Sequence, residues 1–182
     1  MIESERQEVL DLVDSNDAII GTIKRGEMME YKYKHPKGHV RFVSAFIVNK
    51  DGNIWTQIRS MHKFIAPGGL DYSVGEHVLS GETYQVAMLR GFKEEVGMTV
   101  HEDRLTFLGA LPPTEEKPVF DAVYALMNYD GPEPPLNKEE FSSSRWLTIP
   151  EMREILRIHP SKTSLLPALD LLEQHIEEHT KI

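Results

Sequence analysis

The first half of the chain alternates apolar and polar positions in short blocks that polar turns separate. The stretch EVLDLVDSNDAIIGTIKR predicts two short strands on either side of the turn DSND. In RFVSAFIVNKDGNIWTQIRS, an apolar run is followed by the turn NKDG and by the alternating residues Ile54, Thr56 and Ile58. This second pattern is typical of a β-hairpin. The Gly-rich segment over 66–81 predicts strand fragments joined by loop.

A helical period follows, from Glu82 to Val96. One face of this helix is predicted to be apolar, and it carries Val86, Leu89, Phe92 and Val96. Gly97 stands where a glycine commonly ends a helix in the left-handed conformation.

The last third of the chain mixes strands and helices. LTFLGALP, VFDAVYALMNY and SRWLTI predict strands, GPEPPLNKEE predicts a Pro-rich loop, and PEMREIL opens a helix with Pro in its first turn. A final helix is predicted over 164–179, and its apolar stripe predicts core packing by Leu165, Leu169, Leu172 and Ile176. Because strands and helices do not follow a strict βαβ order, the sequence predicts an α/β (α+β) sandwich with a mixed β-sheet.

The polar face of the helix over 82–96 carries residues that suggest chemistry. Arg90, Glu94 and Glu95 lie on it, and Gly91 falls between the two acids. A third carboxylate there would complete a group suited to a hard divalent cation. Glycine inside a helix costs about 1 kcal/mol relative to alanine, so its presence needs a reason. The pattern alone leaves two interpretations open, a metal site and an ordinary solvated face.

Composition narrows the class of protein. A chain of 182 residues fits a single domain over 1–182, and no apolar run reaches the roughly 18 residues that span a bilayer. The acidic N-terminus does not have the basic and apolar regions of a signal peptide, so we expect a cytoplasmic protein with no membrane partner. The absence of Cys excludes disulfides, thiolate metal sites and a Cys nucleophile.

Charge adds a second constraint. The net charge of −9 argues against binding to a nucleic acid polymer, which requires clustered Lys and Arg. Two stretches are locally basic, 32–41 and 57–63, and each is either solvated surface or faces a phosphate. We expect any contact with substrate phosphate to come from Arg59, Lys63 and Arg41. A homodimer is compatible with the sequence, which contains no signal that predicts one.

The segment GEHVLSGETYQVAMLRGFKEEVGM, within about 75–98, resembles the Nudix box, the signature of the Nudix hydrolase superfamily. That signature is usually a Gly, five residues, a Glu, seven residues and then Arg-Glu-apolar-any-Glu-Glu-any-Gly-apolar. The matching positions in this sequence are Glu82, Arg90, Phe92, Glu94, Glu95, Gly97 and Met98. Similarity to the branch related to isopentenyl-diphosphate isomerase extends over about 8–158.

The resemblance implies a mixed sheet between helices, and hydrolysis of a small-molecule diphosphate with Mg²⁺ or Mn²⁺ as cofactor. It also implies Glu94 and Glu95 as metal ligands, with Arg90 orienting the acids. Two positions depart from the box: Glu76 stands where the first Gly is expected, and Gly91 where the Glu after the Arg is expected. In the family that Glu helps to bind metal, and in some members it acts as the base on the attacking water.

We hypothesise that the two departures are linked. Glu76 would then supply, as metal ligand and catalytic residue, the carboxylate that the helix has lost. The alternative is that Glu76 points to solvent. Other loop acids that could replace the missing one are Glu115, Glu116 and Glu140. Three aromatic residues either stack on a base or pack in the core, namely Tyr72, Phe120 and Trp146.

Three functions remain under comparison. The first is metal-dependent hydrolysis of a diphosphate linkage in a nucleoside diphosphate derivative or related small molecule. The second is a catalytically weak or inactive Nudix-fold protein that binds a diphosphate ligand, which Gly91 favours. The third is the isomerase reaction, which we disfavour because the similar isomerases use a catalytic Cys and this chain has none.

Overall fold

The computed structural model of the protein describes residues 3–63, 66–159, 161 and 164–180. Its strands are β1 (Val9–Val13), β2 (Ile19–Lys24), β3 (Val40–Asn49), β4 (Ile54–Arg59), β5 (Leu70–Asp71), β6 (Val74–His77), β7 (Leu105–Leu111), β8 (Val119–Tyr129) and β9 (Phe141–Leu147). Its helices are α1 (Glu3–Gln7), α2 (Arg25–Glu30), α3 (Tyr84–Val96), α4 (Ile149–Ile158) and α5 (Leu165–Thr180), with a 3₁₀ turn over Glu102–Arg104. Within these ranges, no helix has both the length and the hydrophobicity that a bilayer span requires.

Among the described residues, seven strands form one mixed sheet, and β1 and β2 form a separate antiparallel pair. The central strands β3 and β8 run parallel, whereas β4 and β6 pair antiparallel with β3 and β7 pairs antiparallel with β8. Strand β9 adds to the outer side of β4. The predicted mixed sheet is confirmed.

Different helices cover the two faces of the sheet, because successive side chains of a strand point to opposite faces. Val43, Ala45 and Ile47 of β3 pack with residues of α3 in one core. Phe46 and Val48 of the same strand pack with residues of α4 and α5 in the other. The strand alternation therefore builds the predicted sandwich, with helices on both faces.

Most predicted elements are confirmed, including the hairpin of β3 and β4, the strands β7 to β9 and the helices α3 to α5. In α5 the predicted stripe is core: Leu165, Leu169 and Leu172 are buried, and Ile176 packs against them. Helices α1 and α2 were not predicted, because five or six residues are too few to show a helical period.

Helix α3 begins at Tyr84, two residues after the predicted start, and ends at Val96 as predicted, but its buried face differs. The Thr83 side chain accepts a hydrogen bond from the N–H of Val86, and Gly97 ends the helix with a φ of 61°. The expectation that Val86 belongs to the apolar face is wrong, since its side chain is 51% exposed. The residues buried instead are Ala87, Met88, Gly91, Phe92 and Val96. Small residues in this set allow the helix to approach β6 closely.

Residues 70–77 lie where β4 diverges from β3, with β5 paired to β4 and β6 paired to β3. Between them, the Ser73 hydroxyl accepts a hydrogen bond from the N–H of Ile47 at 2.8 Å and donates to the carbonyl of Trp55. The N–H of Ser73 donates to the carbonyl of Ala45 at 3.1 Å. These buried bonds fix the segment that leads into β6.

We expect Ser73→Ala to lower the free energy of unfolding by about 2 kcal/mol, because it leaves a buried N–H and a buried carbonyl without partners. Chemical denaturation measures the change. Ser142→Ala is the matched control: that hydroxyl donates to the carbonyl of Ile58 at 3.3 Å, but it is exposed, so the expected loss is below about 0.5 kcal/mol. Equal losses in the two variants would contradict the role assigned to Ser73.

Candidate active site

A cavity of about 650 Å³ lies beside the C-terminal end of α3. Its walls come from α2, from β4, β5 and β6, and from the loop that precedes β8. Five residues selected from the sequence line it together, namely Glu76, Glu94, Glu95, Arg59 and Lys63. The fold thus brings the acids of the helix and the basic stretch over 57–63 to one place.

The two acids at the end of α3 have different environments. The main-chain N–H of Gly75 donates to Glu95 Oε2 at 2.9 Å, which ties the end of the helix to β6. Glu94 is 57% exposed, and its Oε2 accepts a hydrogen bond from Arg90 Nη1 at 3.1 Å. One carboxylate is therefore held against the sheet, and the other is reachable from solvent.

Arg90 lies at the centre of the acidic cluster. Its Nε and Nη2 donate to the two carboxylate oxygens of Glu82 at 2.9 and 3.0 Å, and Nη2 also donates to the carbonyl of His77 at 2.7 Å. Its Nη1 lies 3.3 Å from Glu76 Oε2. Burial acts to lower the pKa of Arg90, but the hydrogen bond to Glu82 and the charge of Glu76 together outweigh that effect. The pKa is therefore raised above its usual value, and the guanidinium stays protonated. Arg90 therefore forms ion pairs with three carboxylates, those of Glu76, Glu82 and Glu94.

Gly91 faces β6 and is buried, which corrects its expected place on the polar face of the helix. A Cβ added to Gly91 would lie 3.1 Å from Glu76 Cβ and 3.2 Å from Val74 Cγ1. Both distances are shorter than the optimal separation of two carbon atoms, about 3.5–4.0 Å. A side chain at position 91 and the side chain of Glu76 therefore compete for the same space.

The side chain of Glu76 turns inward over Gly91. It is 13% exposed, so the alternative that it points to solvent is wrong. Its Oε1 accepts a hydrogen bond from the N–H of His77 at 2.8 Å, while Oε2 faces Arg90. Burial raises the pKa of Glu76, and the charge of Arg90 opposes that rise only in part. This carboxylate binds a proton more readily than an exposed glutamate does.

Two of the basic residues selected for phosphate lie on the cavity wall, each paired with an acid. Arg59 is 7% exposed and forms an ion pair with the buried Asp71. Lys63 Nζ lies 2.6 Å from Glu140 Oε1. Both cations are present at the cavity, and both are partly neutralised there.

Arg41 lies outside this cavity, contrary to expectation. Its Nε donates to Asp17 Oδ1 at 2.7 Å, and its guanidinium lies 5.5 Å from the centre of the Tyr84 ring. Neighbouring residues of a strand point to opposite faces, and Phe42 is the one that lines the cavity. Of the basic stretch over 32–41, Lys32 lines the cavity and Arg41 does not.

The cavity wall also contains two basic residues that no sequence motif indicated, Arg25 and Lys117. Arg25 Nη1 donates to Glu8 Oε2 at 2.7 Å, while its buried Nε has no hydrogen-bond partner in the described part of the chain. Lys117 pairs with the buried Asp121. Both come from segments far from the box in sequence, so only the folded chain brings them to it.

The three aromatic residues selected from the sequence also divide between the cavity wall and other parts of the fold. Tyr72 lines the cavity and is 1% exposed. Phe120 and Trp146 do not line it, and Trp146 instead packs against the α3 core, with its ring centre 6.4 Å from that of Tyr129.

Acidic side chains outnumber basic ones along the described cavity wall, by eight to five. Among the alternative loop acids, Glu116 and Glu140 contribute to this wall, whereas Glu115 does not. Like charges in a partly enclosed site repel strongly. A diphosphate can therefore enter without a large electrostatic penalty only if a cation accompanies it.

The sequence matches the NUDIX domain family over residues 29–169. The chain belongs to the Nudix family. It is 36% identical over 167 residues to an uncharacterized Nudix hydrolase of Nostoc sp. (strain PCC 7120), a match that covers 90% of this chain and 95% of the relative. The crystal structure of a Deinococcus radiodurans protein is similar with a TM-score of 0.73 and 32% identity, covering 90% of this chain and 98% of that one.

A further relative is an isopentenyl-diphosphate Δ-isomerase of Serratia proteamaculans, 27% identical over 158 residues, which cover 85% of this chain and 84% of the relative. Together these similarities confirm the expected superfamily and the expected class of enzyme, a Nudix-type hydrolase. Nudix hydrolases act on nucleoside diphosphate derivatives and generally use a divalent metal such as Mg²⁺ or Mn²⁺.

The acids of this Nudix box do not form a preassembled metal site. Across the described residues, no three His, Asp or Glu side chains converge into a group that could hold a metal ion. Arg90 engages Glu76 and Glu94, and the N–H of Gly75 engages Glu95. The donor chemistry still fits a hard cation, because these three side chains offer carboxylate oxygens.

We expect the side chains at positions 76 and 91 to be energetically coupled. Gly91→Glu alone should lower the free energy of unfolding by about 1–3 kcal/mol, because it overpacks the contact with Glu76. In the double variant Glu76→Gly, Gly91→Glu, the contact with Glu76 is removed and the one with Val74 is left, so a coupling energy of at least about 1 kcal/mol should appear. Denaturation of the metal-free protein measures all four members of the cycle.

The control for adding an acid to α3 is Gln85→Glu, at an exposed position, which should change stability by less than about 0.5 kcal/mol. If the effects of the substitutions at 76 and 91 simply add, the two side chains do not share one space.

Proposed function

We propose that this Nudix protein hydrolyses a diphosphate linkage in a nucleoside diphosphate derivative, with Mg²⁺ or Mn²⁺ as cofactor. The observation that carries the proposal is the shared cavity: Glu94 and Glu95 of the box, Glu76 of the facing strand and several basic side chains line it together. Acids can bind the cation, and basic residues can bind the phosphates, within one cavity.

The residues that would hold the cation are Glu94, Glu95 and Glu76. When bound, it would neutralise phosphate oxygens and lower the pKa of an attacking water. Arg90 keeps the acids aligned, since its guanidinium contacts Glu76 and Glu94 and is anchored by Glu82. The hydrogen bond from Gly75 fixes Glu95 against β6.

Glu76 takes the part of the acid that the box lacks at position 91. Its Cβ lies 3.1 Å from the place of a Cβ at position 91, so a side chain at 91 would fit only if Glu76 shifted by a few tenths of an ångström. Its carboxylate remains on the cavity wall with Glu94 and Glu95. The number of acids available to the site is therefore kept, although one has moved from the helix to the strand.

Several basic residues of the cavity wall would contact the phosphates. Arg25 has a buried Nε with no partner in the described residues, so a phosphate oxygen there would satisfy a donor that is otherwise unpaired. Arg59 and Lys63 lie on the same wall, each paired with an acid, and add positive charge there. Arg41 has no part in this scheme because it lies outside the cavity.

A second function is favoured by one observation, the engagement of Glu76 and Glu94 by Arg90. If these ion pairs outlast the arrival of a cation, the protein binds a diphosphate ligand and turns it over poorly or not at all. An isomerase reaction on isopentenyl diphosphate has no support from the side chains, because the chain contains no Cys.

The native protein should release products from at least one nucleoside diphosphate derivative with Mg²⁺ or Mn²⁺, and chelation with EDTA should abolish the activity. The assay is phosphate or nucleotide release from a panel that also contains isoprenoid diphosphates. No turnover by the native chain, together with turnover by the double variant Glu76→Gly, Gly91→Glu, would establish the binding function instead.

We expect Glu76→Gln to lower kcat by about 10²-fold, because it removes a carboxylate that the site needs and keeps the size of the side chain. Steady-state kinetics over a range of Mg²⁺ concentrations measures both the rate and the apparent metal affinity. Glu115→Gln is the matched control, since this acid lies outside the cavity and should leave both unchanged. An unaltered rate and metal dependence in Glu76→Gln would remove Glu76 from the mechanism.

A further inference from the structure

A buried amide on the cavity wall has an unpaired acceptor. Gln57 of β4 is 0% exposed, and its Nε2 donates to the carbonyl of Ser73 at 2.9 Å. A carbonyl can only accept, so this bond fixes the orientation of the amide. The other end, Oε1, has no hydrogen-bond partner in the described part of the chain, and Gln57 lines the cavity. A buried acceptor left unpaired is destabilising, so it calls for a partner.

The surroundings of Gln57 are polar as well as buried. Arg59 lies two residues further along β4, on the same side of the strand, and is paired with Asp71 of β5. These two strands form one part of the cavity, whereas the box acids come from β6 and α3. Phe141, paired with Arg59, and Tyr72, next to Asp71, add aromatic rings to this wall. This part of the cavity offers hydrogen-bonding groups and aromatic rings, but none of the acids assigned to the cation.

On the basis of the proposed diphosphate hydrolysis, we propose that the β4–β5 part of the cavity recognises a nucleobase, and that Gln57 Oε1 accepts a hydrogen bond from an N–H of that base. The nucleobases of nucleotides carry such a donor on a ring or exocyclic nitrogen. The aromatic rings suit a planar group, and a cavity of about 650 Å³ is within the usual range for small-molecule sites.

The same groups work against an isoprenoid substrate. A hydrocarbon tail placed on β4 and β5 would offer no hydrogen-bond donor to Gln57 Oε1, so this acceptor would stay without a partner among the described residues. One buried acceptor that gains no partner from the ligand should weaken binding by about tenfold. Gln57 is therefore a residue that determines specificity between diphosphates with polar and with apolar organic groups.

Equilibrium binding tests the inference separately from catalysis. Isothermal titration with Mg²⁺ present compares four nucleoside diphosphates, inorganic pyrophosphate and isopentenyl diphosphate, with the integrity of each ligand checked afterwards. The native chain should bind at least one nucleoside diphosphate about tenfold more tightly than pyrophosphate. Gln57→Met, which keeps the size of the side chain, should remove about tenfold of that affinity and leave pyrophosphate binding unchanged.

Thr56→Val is the control for structural damage. Thr56 is also buried on β4, and its hydroxyl donates to the carbonyl of Asp71 at 2.7 Å, but it does not line the cavity. This variant loses a comparable buried hydrogen bond, so thermal unfolding should register it, while the affinities for all the ligands should stay within about twofold of native.

Three results would overturn the inference: equal losses for nucleotide and pyrophosphate in Gln57→Met, no loss for either, or native binding of isopentenyl diphosphate as tight as that of the nucleotides. Failure of the proposed hydrolysis has a different outcome. In that case the native chain would bind nucleoside diphosphates in a manner that depends on Gln57, and would release no product with Mg²⁺ or Mn²⁺, which supports base recognition and refutes the enzyme activity.

Discussion

The close approach of α3 to β6 at Gly91 determines the arrangement of the acids. Without a side chain at position 91, the helix backbone and the strand can pack with the Glu76 side chain between them. The carboxylate of Glu76 then meets Arg90, which also engages Glu82 and Glu94. A mid-helix glycine that disfavours the isolated helix is therefore consistent with the folded structure, because tertiary packing outweighs intrinsic propensity.

A second constraint joins the site to the core. The segment over 70–77 supplies Asp71 to one part of the cavity and Glu76 to the other, and Ser73 holds its middle between β3 and β4 through buried hydrogen bonds. The same Ser73 receives the amide of Gln57. Because one short segment positions groups in both parts of the cavity, changes that loosen it should affect metal-binding and substrate-binding groups together.

Local pattern was sufficient for most of the architecture, since alternating strands and the helical period depend on nearby residues. It also located Glu94 and Glu95 through the spacing of the box. It failed where a long-range contact decides the outcome. Val86 is exposed and Gly91 buried because β6 covers the face of α3 that carries the small residues, a contact that the apolar period of the helix does not predict. Arg25 reaches the cavity through the fold and carries no motif, whereas Arg41 turns away by strand alternation.

The charge distribution explains why the altered box is compatible with both proposed functions. Arg90 neutralises acids that would otherwise repel one another. A divalent ion must compete with those ion pairs, and only part of its attraction to Glu76 and Glu94 then appears as affinity. A bound diphosphate shifts this competition toward the ion, because it adds negative charge to a wall that is already acidic. Metal and substrate binding are thus expected to be cooperative.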